Sequence, residues 1–103
     1  MTPPNPVRGE ATLHVAGRDR ILRPTFAALV AAEDELGPLF ALVERASAGQ
    51  LKLGEVSALF WHCLAERELI ARDEVGEAVA KGGLAAAAKP LRALLVQILQ
   101  GRG

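Results

Sequence analysis

The sequence lacks the residues that a disulfide-stapled or aromatic-rich β fold requires. It has one cysteine, Cys63, so no intrachain disulfide can form and a reducing compartment is expected. Tyrosine is absent, and three Phe and one Trp are the only aromatic residues, which disfavours a sheet-rich fold. Twelve basic residues are offset by 12 acidic ones, so the chain lacks the positive excess typical of sequence-independent nucleic-acid binding.

Long apolar runs are also missing. The most apolar stretch, residues 84–99, is interrupted by Lys89, Pro90 and Arg92, whereas a membrane span needs roughly 20 apolar residues. The first six residues contain three prolines and no basic region followed by an apolar stretch, so we expect no secretory signal. We predict a flexible Pro-rich arm over residues 1–7, a location in the bacterial cytoplasm, and neither membrane nor nucleic acid among the partners.

What the chain does contain is 19 Ala and 16 Leu among its 103 residues, a mixture that favours close-packed helices. This length suits one core, which we place in a single domain over residues 8–100. The predicted fold class is mainly α (α+β), with an N-terminal β-hairpin followed by about five short helices in one compact domain.

Residues 8–15 alternate between polar and apolar, which predicts a strand with one apolar face. A turn at Gly17 leads to a short return strand over residues 20–23. Two registers remain open at this stage. A two-residue loop places Leu13 opposite Arg20, and a three-residue loop places it opposite Ile21.

Thr25 is the expected N-cap of a first helix over residues 25–36, which ends at Gly37. Asp73 is the expected cap of a fourth helix that ends near Gly82, and Pro90 is expected to kink the fifth or to begin a new turn in it. The second helix covers residues 38–48, the third residues 54–68 and the fifth residues 84–100. The predicted buried stripes are Phe26, Leu29, Val30 and Leu36 on the first helix, Leu39, Leu42, Val43 and Ala46 on the second, and Val56, Leu59, Phe60, Cys63 and Leu64 on the third.

The sequence predicts no catalytic group, no cofactor and no metal site. Cys63 lies in an apolar stripe, where burial raises the pKa of a thiol and makes it a poor nucleophile. His62 and Cys63 point in different directions on a helix, so they cannot easily share a metal ion. His62 and Glu66 are four residues apart, which is typical of a solvated surface pair.

Three candidate features for partner binding remain. Glu33, Asp34 and Glu35 lie in the last turn of their helix, where the helix dipole disfavours acids, so they suggest an acidic patch for a basic partner or a solvated edge. Trp61 lies at the margin of the third helix's stripe and is expected to pack against a neighbouring helix or to anchor an interface. The apolar surface of the last helix suggests groove binding or self-association, and its stripe comprises Leu91, Leu94, Leu95, Ile98 and Leu99.

Several short motifs resemble the small tail proteins encoded by gene transfer agents and related siphophage-like prophages. Residues 8–26 read RGEATLHVAGRDRILRPTF, and the further motifs are LVAAEDELG (29–37), LKLGEV (51–56) and DEVGEA (73–78). The resemblance covers the chain from Arg8 to Leu99. The sequence departs from the family's pattern at Gly54, where a polar capping residue would fit better, and in its Pro-rich arm.

The resemblance implies a phage tail assembly chaperone, a non-catalytic protein that holds the tape measure protein before the tail tube polymerises around it. Its expected partners are the tape measure protein and the tail tube protein. Other labels in this family name a tail tube protein, but one hairpin supplies few strands for tube rings. A small dimerising adaptor also remains open, as does a DNA-binding regulator using the helices at 25–36 and 38–48, although the second offers only Arg45 as a base.

Overall fold

A computed structural model describes residues 11–100, and it confirms the predicted order of a β-hairpin followed by helices. The hairpin strands are β1 (Ala11–Val15) and β2 (Arg18–Leu22). The five α-helices in this part of the chain are α1 (Phe26–Leu36), α2 (Leu39–Ser47), α3 (Leu53–Cys63), α4 (Arg72–Gly82) and α5 (Leu84–Gln100), with a 3-10 turn at Arg67–Leu69 before α4. The arm predicted for residues 1–7 and the first residues of the predicted strand lie outside the described residues.

The hairpin has the shorter of the two expected loops. Val15 pairs with Arg18 and Leu13 with Arg20, so the loop is Ala16 and Gly17. Both loop residues have positive φ, 53° at Ala16 and 85° at Gly17. Two-residue hairpin loops adopt this geometry because its twist matches that of the flanking strands. The apolar face of β1 is buried, as its alternation predicts, and α4 and α5 pack against this strand.

The third helix ends at Cys63 and does not continue to Glu68 as the sequence predicts. The chain leaves the helix because its backbone pairs with the outer edge of β2. The Arg23 amide donates to the Cys63 carbonyl (2.6 Å) and the Ala65 amide donates to the Ile21 carbonyl (3.0 Å), forming an antiparallel bridge between Leu22 and Leu64. This segment therefore covers backbone groups that an open strand edge would leave unpaired.

The inner face of α1 differs from the predicted stripe. Ala28 and Ala32 are buried, whereas Phe26 is 85% exposed and Val30 is 40% exposed. Small methyl side chains allow α1 to lie close to α3, so the large apolar residues on the other side are excluded from the core. Leu29 and Leu36 pack partly against the core. The predicted cap is confirmed, since the Thr25 hydroxyl accepts from the Ala28 amide at 3.1 Å.

Helices α1 and α4 pack against α3, and all five residues of its predicted stripe are buried. Leu42 is fully buried on α2, while Leu39, Val43 and Ala46 are half-buried. Helix α4 begins at Arg72, two residues earlier than a cap at Asp73 predicts, so Asp73 is not the cap. Ala71 occupies the cap position, and its amide donates to the Glu74 carboxylate at 2.9 Å. Helix α5 continues through Pro90 and does not start again there.

Candidate functional site

The stripe predicted for partner binding on α5 is divided between the core and the surface. Leu94 is fully buried, so it stabilises the fold and is not accessible to a partner. Leu91, Leu95 and Ile98 are half-buried, and Leu99 is 57% exposed. The accessible part of the stripe therefore lies along one side of the helix.

That side of α5 forms a wall of an apolar groove. The opposite wall comes from the end of α2 and the segment that follows it, through Val43, Ala46 and Leu51. The groove has a volume of about 460 Å³, and Arg92 is the one charged residue among the described residues that line it. A concave apolar surface between helices is suited to the apolar face of another helix. The sequence reveals the apolar residues of α5 but not the groove, because its walls are some forty residues apart in the chain.

The acidic residues at the end of α1 have structural roles that the sequence does not reveal. The Glu33 carboxylate accepts from the Leu39 amide at 3.1 Å, which satisfies a free amide at the start of α2. Glu35 bonds His62 at 2.9 Å through one oxygen, and Arg72 donates to the other. Hydrogen bonds from Arg72 and His62 hold the pKa of Glu35 below its ordinary value of 4.5. Asp34 is exposed beside them.

The expected surface pair of His62 and Glu66 does not form. His62 is 8% exposed and its Nε2 bonds Glu35 on α1. Glu66 instead lies beyond the end of α3 and forms an ion pair with Arg20 of β2 at 3.3 Å. The prediction from helical spacing is wrong because α3 ends at Cys63, before Glu66, so His62 and Glu66 do not share a helix face.

Trp61 packs at the junction of α3 and α4. Its Nε1 donates to the Ile70 carbonyl at 3.0 Å, and the Arg72 guanidinium lies 5.2 Å from the ring centroid. The His62 ring meets it edge-on at 5.1 Å. These contacts occupy the polar edge and one face of the indole, which agrees with the expectation that Trp61 packs against a neighbouring helix.

Catalytic chemistry finds little support in the described residues. Burial raises the pKa of Cys63 to about 12, as its place in the apolar stripe predicts, so the thiol stays protonated. No group of three His, Cys, Asp or Glu between residues 11 and 100 is arranged to hold a metal ion. No single helix there is long and apolar enough to cross a membrane, although α4 and α5 meet that test jointly as a pair bent by 119°.

The helix pair considered for DNA binding is also short of free positive charge. Arg45, the base that α2 offers, forms an ion pair with Glu55 of α3 at 2.7 Å. The exposed end of α1 carries Glu33 and Asp34, which repel phosphate. The ion pair between Arg45 and Glu55 therefore links α2 to α3. The helices α1 and α2 present no basic surface for DNA recognition.

The fold and the groove define the chain's class as a small, mainly helical domain with a concave apolar surface, a kind of surface that suits the apolar face of another helix. Comparison with protein families gives a match over residues 8–101 to the family described as phage tail tube protein, GTA-gp10. The chain belongs to this phage tail family. No curated protein and no solved structure matches it. The match confirms the assignment to gene transfer agent and phage tail proteins, and its description supports the tail tube alternative more directly than a chaperone.

Proposed function

We propose that the chain is a tail assembly chaperone that acts in the bacterial cytoplasm and holds an apolar helical segment of the tape measure protein in the groove between α2 and α5. The observation that carries this proposal is the groove itself, about 460 Å³ in volume and lined mainly by apolar side chains. In this proposal the tape measure protein exposes an apolar helix face before assembly, and a groove of this kind would give that face temporary cover.

The strand content also favours a chaperone over a tube subunit. Between residues 11 and 100 the only sheet is the two-stranded hairpin. The segment from Cys63 to Ala65 already pairs with the end of the outer edge of β2 through two backbone hydrogen bonds, so less of this edge is open to a neighbouring subunit. Tube rings need extensive strand pairing between subunits, and this hairpin offers little for it.

Burial of apolar side chains in the groove would supply the affinity for a bound helix. Each apolar side chain of a bound helix that becomes fully buried contributes roughly 1.5–3 kcal/mol before the cost of association. Arg92 at the rim adds a preference for a segment with an acidic residue beside its apolar face. We therefore expect binding of an amphipathic helix.

The experiment is co-expression with the cognate tape measure protein followed by pull-down, using two matched variants of α5. Ala88 lines the groove and is half-buried, whereas Ala85 is exposed one turn earlier and lies outside the groove lining. Ala88→Glu places a charge in the groove, and Ala85→Glu makes the same change on the same helix elsewhere. We expect wild type and Ala85→Glu to retain the tape measure protein and Ala88→Glu to lose at least about 90% of it.

Failure of the wild type to retain a soluble tape measure protein would contradict the proposal. Equal capture by Ala88→Glu, with its helical circular dichroism unchanged, would show that the groove is not the site. Loss of capture in both variants would indicate a general effect of added charge, and would also count against the groove.

A second candidate, a structural component of the tail tube, is favoured by the description of the family that residues 8–101 match. In this role the chain would contact other copies and the neighbouring tail proteins in the finished particle. The two candidates differ in whether the chain remains in that particle.

A further inference from the structure

Two exposed helix faces in this chain have complementary patterns. The outward face of α1 carries Phe26 and Val30 in its first turns and Glu33 and Asp34 in its last turn. These positions follow a spacing of four, three and one residues, which places them on one side of a helix. Phe26 is 85% exposed and Val30 is 40% exposed, so the face is apolar at one end and acidic at the other.

An exposed face of α5, part of which lines the groove, has the matching pattern in the opposite direction. Lys89 and Arg92 lie in its middle turns, followed by Val96 and Leu99 toward its end, at a spacing of three, four and three residues. Val96 is 47% exposed and Leu99 is 57% exposed. This face is therefore basic in the middle and apolar at its C-terminal end.

We infer that α1 of one copy of this chain docks antiparallel on α5 of a second copy. In this alignment Phe26 meets Leu99, Val30 meets Val96, and Asp34 meets Arg92. The distances agree, because Phe26 to Asp34 spans about 12 Å along α1 and Leu99 to Arg92 spans about 10 Å along α5, at 1.5 Å per residue.

Charge and dipole favour the same arrangement. Asp34, Lys89 and Arg92 are exposed and form no ion pair with other residues in the 11–100 region, so they are available to a second copy. Lys89 approaches the end of α1, where the carbonyl groups and the helix dipole are negative. Two antiparallel helices also place opposite dipole ends side by side.

The contact joins different surfaces of the two copies, so it is heterologous and repeats from copy to copy. It does not depend on the proposed chaperone function. The α5 part of the surface borders the groove, since Arg92, Val96 and Leu99 also line it. One α5 therefore cannot hold a second copy and a groove-bound helix together.

Charge reversal in two single variants tests the contact. Asp34→Arg places two positive charges against each other in its own homotypic contact, and Arg92→Asp places two negative charges there. We expect wild-type mass in sedimentation equilibrium to rise with concentration and each single variant to associate at least about tenfold more weakly. In an equimolar mixture, α1 of the Asp34→Arg variant can dock on α5 of the Arg92→Asp variant through a pair of opposite charges. The reverse contact keeps the native pair of Asp34 and Arg92, so association returns.

The control is Glu44→Arg, because Glu44 is an exposed acid on α2 outside both faces, and it should associate as wild type does. Recovery in the mixture also shows that both single variants are folded. A monomeric wild type up to submillimolar concentration would overturn the inference, and so would undiminished association of either variant, a mixture that stays monomeric, or loss of association in Glu44→Arg.

Tape measure capture by Asp34→Arg separates this inference from the proposed function. Asp34 does not line the groove, so we expect that variant to lose self-association and keep capture. If the wild type captures the tape measure protein but does not self-associate, only the inferred contact between copies is contradicted. Self-association without capture contradicts the chaperone proposal alone.

Discussion

Glu35 is the residue at which polar contacts join three helices. Its carboxylate lies on α1 and bonds His62 of α3 and Arg72 of α4. Arg72 in turn lies against the Trp61 ring, so the contacts continue along the junction of α3 and α4. The sequence shows Glu35 only as an acid in an unfavourable helix position, because its partners are 27 and 37 residues away.

We predict that Glu35→Gln lowers the free energy of unfolding by about 1 kcal/mol at neutral pH, since a half-exposed ion pair is weakly stabilising but His62 loses a charged hydrogen-bond partner. The pKa of Glu35 is below 4.5 in the folded state. Its contribution is therefore complete above pH 4.5 and is lost as the pH falls through the folded pKa. Urea unfolding at neutral pH and under acid conditions measures both effects.

Asp34→Asn is the matched control for this change, because Asp34 is the adjacent exposed carboxylate. It should alter stability by about 0.5 kcal/mol or less. The difference in free energy of unfolding between wild type and Glu35→Gln should shrink well below pH 4.5. An equal difference at neutral pH and under acid conditions would contradict the contacts of Glu35 with His62 and Arg72.

At the scale of the element, α1 shows where an apolar pattern misleads. The predicted stripe comprises Phe26, Leu29, Val30 and Leu36. The helix instead buries Ala28 and Ala32, which lie against α3. The periodicity of α1 predicts a helix correctly, but alanines surround the larger residues and leave two possible inner faces. Only the space available beside α3 decides between them, and that is a property of the packed chain.

The two phenylalanines Phe26 and Phe60 test this assignment of faces. Phe60 is fully buried on α3, so Phe60→Ala should cost about 3–5 kcal/mol of stability. Phe26 is 85% exposed, so Phe26→Ala should change stability by about 0.5 kcal/mol or less. Denaturant unfolding at a concentration where the chain is monomeric measures both, and a large cost for Phe26→Ala would mean that α1 is rotated toward its predicted stripe.

The boundaries of α3 show a second limit of the sequence. Its stripe from Val56 to Cys63 is predictable because local spacing alone defines it. Its end is not, because the chain stops being helical where Leu64 and Ala65 pair with β2. A pairing partner more than forty residues away leaves no signal in a local pattern, and the misplaced His62–Glu66 pair follows from the same error.

At the scale of the whole molecule, the sequence predicts the fold class and the burial of Cys63. Balanced charge and a single buried cysteine follow from residue counts and local pattern. The candidate site is harder to foresee, because the groove forms only when α5 packs beside the end of α2. The apolar excess of the last helix is the one feature in the sequence that indicates it.

We propose above that the chain serves tail assembly as a chaperone and is not a subunit of the tube. Quantitative mass spectrometry of purified tailed particles, compared with the lysate of the producing cells, tests it most directly. We predict abundant peptides of this chain in the lysate and no more than trace amounts in the particles. Recovery of the chain in particles at a level comparable to the major tail proteins would contradict the claim and establish the tail tube alternative.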